Sequence, residues 1–204
     1  MAATRASITC YYDLISPYTY MGFKVFNRFR KQWPNVDVTF HPMLLGGVMN
    51  VADLDRISGV TGIPFKFPQK FPINTVLPMR VLTALQIHEA EKYEQCIDKD
   101  EYFIHGRDIS QADVIQQALS PIFNSNTAKV ESYLQRAAQD QEIKKIFKQY
   151  TDEAVAKGVF GAPTFIVRKA GSDEELLFFG SDRIEMIAAT LGLPYTGLTS
   201  VSKL

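Results

Sequence analysis

Residues 11–22 read YYDLISPYTYMG. A β-like segment runs straight into Ser16-Pro17, and a helical pattern follows. Just upstream, residues 7–12 (SITCYY) set Ile8, Cys10 and Tyr12 against Ser7, Thr9 and Tyr11, the two-residue alternation of a strand. Downstream, Tyr18, Met21, Val25, Phe26, Phe29 and Trp33 fall on one face of a helix that has to end before Pro34. Residues 36–40 (VDVTF) alternate again. Strand, helix and strand joined by a crossover of this length make a βαβ unit, so the two strands are expected to be parallel.

Beyond this unit the pattern turns helical from about Asp53 to Lys157. Segments 79–92, 110–119, 127–138 and 140–157 carry apolar and charged residues at helical spacing, with Gly158 as a stop. Strand signals return at 164–168 (TFIVR) and 176–179 (LLFF), and a last helix is expected over 182–191, with Ile184, Ile187, Ala188 and Leu191 on one face. The order is β-α-β, a helical block, then β-β-α. That is the layout of an α/β thioredoxin-like fold with an inserted all-helical domain, as in DsbA-like proteins. The expected divisions are 1–52 and 158–197 for the two thioredoxin-like halves, 53–157 for the insertion and 198–204 for a tail.

A chain of 204 residues, 46% hydrophobic, can bury a full core. Its 22 basic residues balance 22 acidic ones, which excludes an electrostatic footprint for nucleic acid or an acidic membrane. Cys10 and Cys96 form no C-x-x-C pair, and with His41, His88 and His105 they give no metal-ligand spacing, so no metal is expected. The longest uncharged run, 38–52, is broken by Pro42, Gly46 and Gly47, so no membrane span is expected. No signal peptide is expected, since strand pattern begins with Ile8. Ser202-Lys203-Leu204 matches a peroxisomal address that an import receptor reads; mitochondrion and cytosol are the alternatives.

Three places bear chemistry. Ser16 with Pro17 is a favoured helix start. The same position is where a thioredoxin fold holds a reactive sulfur against a helix N-terminus. Residues 16–19 read S-P-Y-T, so dithiol exchange is excluded there, while a ligand's sulfur could still take a hydrogen bond from Ser16. In residues 160–164 (FGAPT), Pro163 either simply starts a strand or is the cis-proline of the fold, flanked by a backbone open to a peptide. In residues 180–183 (GSDR), Ser181 either caps the last helix, with Glu185 behind it, or holds a carboxylate together with Asp182 and Arg183.

Taken together, YYDLISPYTYMG, LLGGVM (44–49), GIPFKFP (62–68), GVFGAPTF (158–165) and FFGSDRIEMI (178–187) resemble the kappa-class glutathione transferases. That class is related to the glutathione-dependent 2-hydroxychromene-2-carboxylate isomerases. The resemblance runs nearly end to end. It implies that Ser16 hydrogen-bonds the glutathione sulfur, with Pro17 and Tyr18 beside it. It further implies that Ala162, before a cis Pro163, pairs with the cysteinyl backbone, and that Ser181 and Asp182, with Arg183 adjacent, hold the γ-glutamyl end.

The resemblance also implies glutathione as co-substrate, a small electrophile as second substrate, a homodimer, and a role in detoxification. The family's Asn-x-Pro-Pro segment after G-G-V is missing: the chain passes from Val48-Met49-Asn50 almost directly to Ala52-Asp53-Leu54. The activity implied is conjugation of the glutathione thiolate to electrophiles, or reduction of hydroperoxides. Competing readings are a chromene-carboxylate-type isomerase and a catalytically weak glutathione-binding protein.

Overall fold

A computed structural model describes residues 5–43, 51–97 and 101–197. The segments 44–50 and 198–204, with the expected departure after Val48 and the Ser202-Lys203-Leu204 address, lie outside the described residues.

Four strands form one mixed sheet: β1 (Ala6–Tyr12), β2 (Val36–Pro42), β3 (Thr164–Arg168) and β4 (Glu175–Phe179), in the order β2-β1-β3-β4. β1 runs parallel to β2, pairing Ile8 with Val38 and Cys10 with Phe40, as the βαβ reading requires. β3 is antiparallel to both β1 and β4. The central position of β3 shows in its burial, since Thr164 through Val167 are all buried. β4 lies at the edge and alternates instead, with Leu177 and Phe179 exposed.

The alternation in β1 decides which face meets which helix. Ile8, Cys10 and Tyr12 join the main core, while Tyr11 points to a smaller cluster with Met43, Ala154, Ala162 and Ile166. Helix α1 (Pro17–Arg30) covers the first face, and Phe26 stacks on Phe165 of β3 with centroids 5.6 Å apart. The expected stripe of Met21, Val25, Phe26, Phe29 and Trp33 is buried. Tyr20 and Phe23 are buried as well, because the helical block covers a second side of α1; Tyr20 meets Phe103 at 5.5 Å. A single-stripe reading of α1 was therefore too narrow.

Between β2 and β3 come α2 (Val51–Thr61), α3 (Val76–His88), α4 (Ala90–Ile97), α5 (Ala112–Leu119), α6 (Thr127–Gln139) and α7 (Gln141–Ala156). The helix expected over 79–92 is in fact two. The chain breaks at Glu89 (φ −146, ψ 58), whose carboxylate pairs with Lys129 of α6 and with Lys92. Gly158 stops α7 with φ 76, a backbone conformation that costs glycine little. The last helix also starts later than expected: Ser181–Arg183 form a 3-10 turn, and α8 spans Ile184–Leu191 with Ile184, Ile187 and Ala188 in the main core. Among the described residues no helix is long and apolar enough to cross a membrane.

Candidate active site

The β1–α1 junction is built from its own polar groups. Asp13 is fully buried, and its carboxylate accepts the Ile15 N–H at 3.0 Å and the Thr75 hydroxyl at 3.1 Å. The Asp13 carbonyl accepts the Ser16 N–H at 3.1 Å, closing the turn that presents Ser16. Ser16 then acts as N-cap: at φ −85 and ψ 113 its hydroxyl oxygen accepts the Thr19 N–H at 3.1 Å, and Pro17 follows as the first helical residue. The cap reading is thus observed.

The same hydroxyl does more than cap. Ser16, 1% exposed, donates to the Ala162 carbonyl at 3.0 Å across 146 positions. The Ala162-Pro163 bond is cis, as is Phe71-Pro72. The hydroxyl therefore joins the start of α1 to the turn ahead of β3, and the first two sequence motifs meet there.

The third motif arrives through Gly22. A Cβ at this position of α1 would stand 3.1 Å from Pro163 Cγ and 3.2 Å from Ser181 Cβ. Only a bare α-carbon lets the helix pass this close to both. Gly180 (φ 108) donates its N–H to the Pro163 carbonyl at 3.0 Å, which sets Ser181 beside the proline. Ser181 makes no capping hydrogen bond, so the capping box expected with Glu185 does not form. Asp182 and Arg183 are exposed and lie 3.4 Å apart as an ion pair. Ser16, Pro17, Ala162, Pro163 and Ser181 converge around one end of α1, with Tyr18 half-buried beside them and Asp182 and Arg183 at the rim.

A cavity of ≈ 80 Å³ lies along the side of α1 that faces the helical block. Leu14, Thr19, Tyr20 and Phe23 line it from the first unit, and Leu82, Tyr102, Phe103, Ile115 and Leu119 from the insertion. Asp13, Thr19, Gly22 and Thr75 had escaped sequence reasoning. Asp13 left the best trace, a carboxylate inside the otherwise apolar run before Ser16.

Neither cysteine contributes a nucleophile. Cys10 and Cys96 are buried and form no disulfide, and burial pushes the Cys10 thiol well above its ordinary range. Among the described residues no group of three His, Cys, Asp or Glu side chains comes together to hold a metal.

The chain is 26% identical to a protein of Caenorhabditis elegans named glutathione S-transferase kappa 2, covering 95% of each. It is also 26% identical to glutathione S-transferase kappa 1 of Homo sapiens, covering 97% of this chain and 96% of the relative. Among solved structures, a 2-hydroxychromene-2-carboxylate isomerase superposes with a TM-score of 0.70 at 18% identity, covering 91% of this chain and 94% of the other. The model of the DSBA-like thioredoxin domain matches residues 7–192. With the strand order, the helical insertion and the cis-proline turn described above, the chain belongs to the DSBA-like thioredoxin domain family.

Proposed function

We propose that this protein is a kappa-like glutathione transferase that presents the glutathione sulfur, as thiolate, to a small electrophile or a hydroperoxide. The observation that carries the reading is the Ser16–Ala162 hydrogen bond. It sets a hydroxyl at the N-terminus of α1 beside a cis-proline turn, where a thioredoxin fold binds peptide backbone and sulfur. The site holds no cysteine of its own at 16 or 19, so the reacting sulfur has to come with the ligand.

In this reading Ser16, Pro17 and Tyr18 meet the cysteinyl sulfur, and Ala162 and Pro163 meet the cysteinyl backbone. Ser181, Asp182 and Arg183 take the γ-glutamyl end, where the paired carboxylate and guanidinium match its ammonium and carboxylate. The chemistry follows from the thiol. A free thiol has a pKa of about 8.5 and is only a few per cent ionised near neutral pH. A hydrogen bond from Ser16 to the charged sulfur contributes roughly 1.5–3 kcal/mol, which lowers that pKa by about one to two units. The sulfur lone pair then forms the new bond to carbon as the leaving group departs.

The test compares wild type with Ser16→Ala. Titrating the ultraviolet thiolate absorbance of bound glutathione should show a raised pKa in the variant, with turnover of a chlorodinitrobenzene-type electrophile cut about tenfold to a hundredfold. Superimposable titrations would leave Ser16 a helix cap alone. The fold shared with a chromene-carboxylate isomerase supports transient addition of glutathione as a second reading, for which product analysis with a chromene carboxylate is the check. A homodimer and a peroxisomal location belong to the same proposal. The latter rests on Ser202-Lys203-Leu204, and a fluorescent fusion lacking Leu204 should stay cytosolic.

A further inference from the structure

The cavity beside α1 has walls that are almost wholly apolar, and its polar groups are already engaged with one exception. The Tyr20 hydroxyl donates to the Pro64 carbonyl at 2.8 Å, and the Tyr102 hydroxyl to the Lys70 carbonyl at 2.7 Å. Glu101 is paired with Arg107, and Lys24 lies over the Tyr20 ring at 5.7 Å. Neither is a spare countercharge for an ionised ligand. The exception is Thr19. It is 1% exposed, it lines the cavity, and its hydroxyl has no hydrogen-bond partner among the described residues.

A buried hydroxyl left alone is uncommon enough to need a reason. Threonines within helices usually return the hydroxyl to the carbonyl one turn back, as Thr83 does to Met79 at 2.9 Å and Thr151 to Phe147 at 3.2 Å. Thr19 sits in the first turn of α1 and does not do so. Its N–H is already bound to Ser16, so its side chain is held within one turn of the proposed sulfur position.

The size of the cavity narrows the ligand further. One water needs about 10–15 Å³ on this measure, and an engineered cavity that binds benzene is about 150 Å³. A space of ≈ 80 Å³ suits a short chain better than a ring.

We propose that this cavity binds an uncharged, aliphatic α,β-unsaturated carbonyl compound, with the Thr19 hydroxyl donating to the carbonyl oxygen. The proposal rests on the glutathione-transferase reading for its chemistry, though not for binding. The glutathione thiolate adds its lone pair to the β-carbon, forming the C–S bond. The carbon–carbon π pair shifts toward the carbonyl, and negative charge gathers on the enolate oxygen at Thr19. The α-carbon then takes a proton from solvent, replacing the one the thiol released. No leaving group, oxidant or reductant is needed.

The test uses the full chain. Binding of 2-hexanone, a saturated ketone inert to thiols, is followed by saturation-transfer NMR without glutathione. Wild type should bind; Thr19→Ser should bind comparably; Thr19→Val should bind several-fold to about tenfold more weakly, the loss of one hydrogen bond. Ala118→Phe, which fills the cavity from α5, should abolish binding. With glutathione and trans-2-hexenal, Thr19→Val should lower kcat/KM while the pKa of bound glutathione stays at the wild-type value. Equal ketone binding by wild type and Thr19→Val, or retained binding in Ala118→Phe, would overturn the proposal. So would a shifted glutathione titration in Thr19→Val, since Thr19 would then serve the sulfur. If wild type binds the ketone but not glutathione, the transferase reading fails and the cavity site stands; the reverse result overturns the cavity site alone.

Discussion

The Thr75 hydroxyl donates to the buried Asp13 carboxylate at 3.1 Å, so the turn that presents Ser16 is pinned from the start of α3, 62 positions away. Thr75 caps nothing on its own helix; its hydroxyl is given to the neighbouring unit instead. A buried carboxylate that loses a donor costs about 1–3 kcal/mol. Thr75→Val should therefore destabilise the protein by that amount, while Thr75→Ser should stay near wild type. Urea unfolding of the two variants gives the comparison, and equal midpoints would mean that Asp13 does not depend on this bond.

Gly22 predicts an exception to a general rule. Glycine to alanine inside a helix normally stabilises by about 1 kcal/mol. Here the added methyl would meet Pro163 at 3.1 Å and Ser181 at 3.2 Å, both held by the Gly180–Pro163 hydrogen bond. Gly22→Ala should gain no stability and should raise the KM for glutathione several-fold. A variant with a higher Tm and an unchanged KM would show that the neighbours give way freely.

Ser181 and Asp182 make no capping bonds, so their loss should cost less stability than the roughly 1 kcal/mol of a helix cap. Ser181→Ala and Asp182→Ala should fold as wild type does and bind glutathione more weakly. Calorimetric titration with glutathione decides: unaltered affinity in both would remove them from the site.

His41 sets a pH dependence. Burial holds its pKa below the ordinary value of about 6.5, and Lys157 adds to this, while Glu153 at 3.7 Å opposes it. The ring is stacked on Tyr150 at 4.4 Å and meets the edge of Tyr11 at 5.3 Å. The unfolded chain binds this proton first, so stability should fall as pH drops below about 6.5. His41→Phe should flatten that loss, measured as the urea midpoint at pH 7.5 against pH 5.5. A steeper fall in the variant would reverse the assigned sign.

What could be read from the sequence was what repeats or punctuates. The alternation of Ile8, Cys10 and Tyr12, the cap at Ser16-Pro17 and the stop at Gly158 are local patterns, and each is present in the fold. What escaped was decided between elements. Glu89 breaks a continuous helical pattern because its carboxylate is drawn to Lys129 of another helix, with no glycine or proline to mark the place. Tyr20 and Phe23 looked surplus because one sequence cannot say that α1 is covered on two sides. Ser181 had the right neighbours for a cap, yet the chain took a 3-10 turn there. At the candidate site the three motifs were visible singly. Their meeting depended on Gly22, whose role is an absence of atoms.

A hydroxyl owns one proton, and at Ser16 that proton is already engaged by the Ala162 carbonyl. Turning it toward a sulfur leaves the carbonyl in want of a donor. A ligand whose own peptide N–H reaches Ala162 relieves that want in the same act, and thereby releases the serine. Docking and ionisation of the thiol are then two ends of one exchange. A small thiol without a peptide N–H has nothing to offer in return, and it would meet a serine still facing the other way.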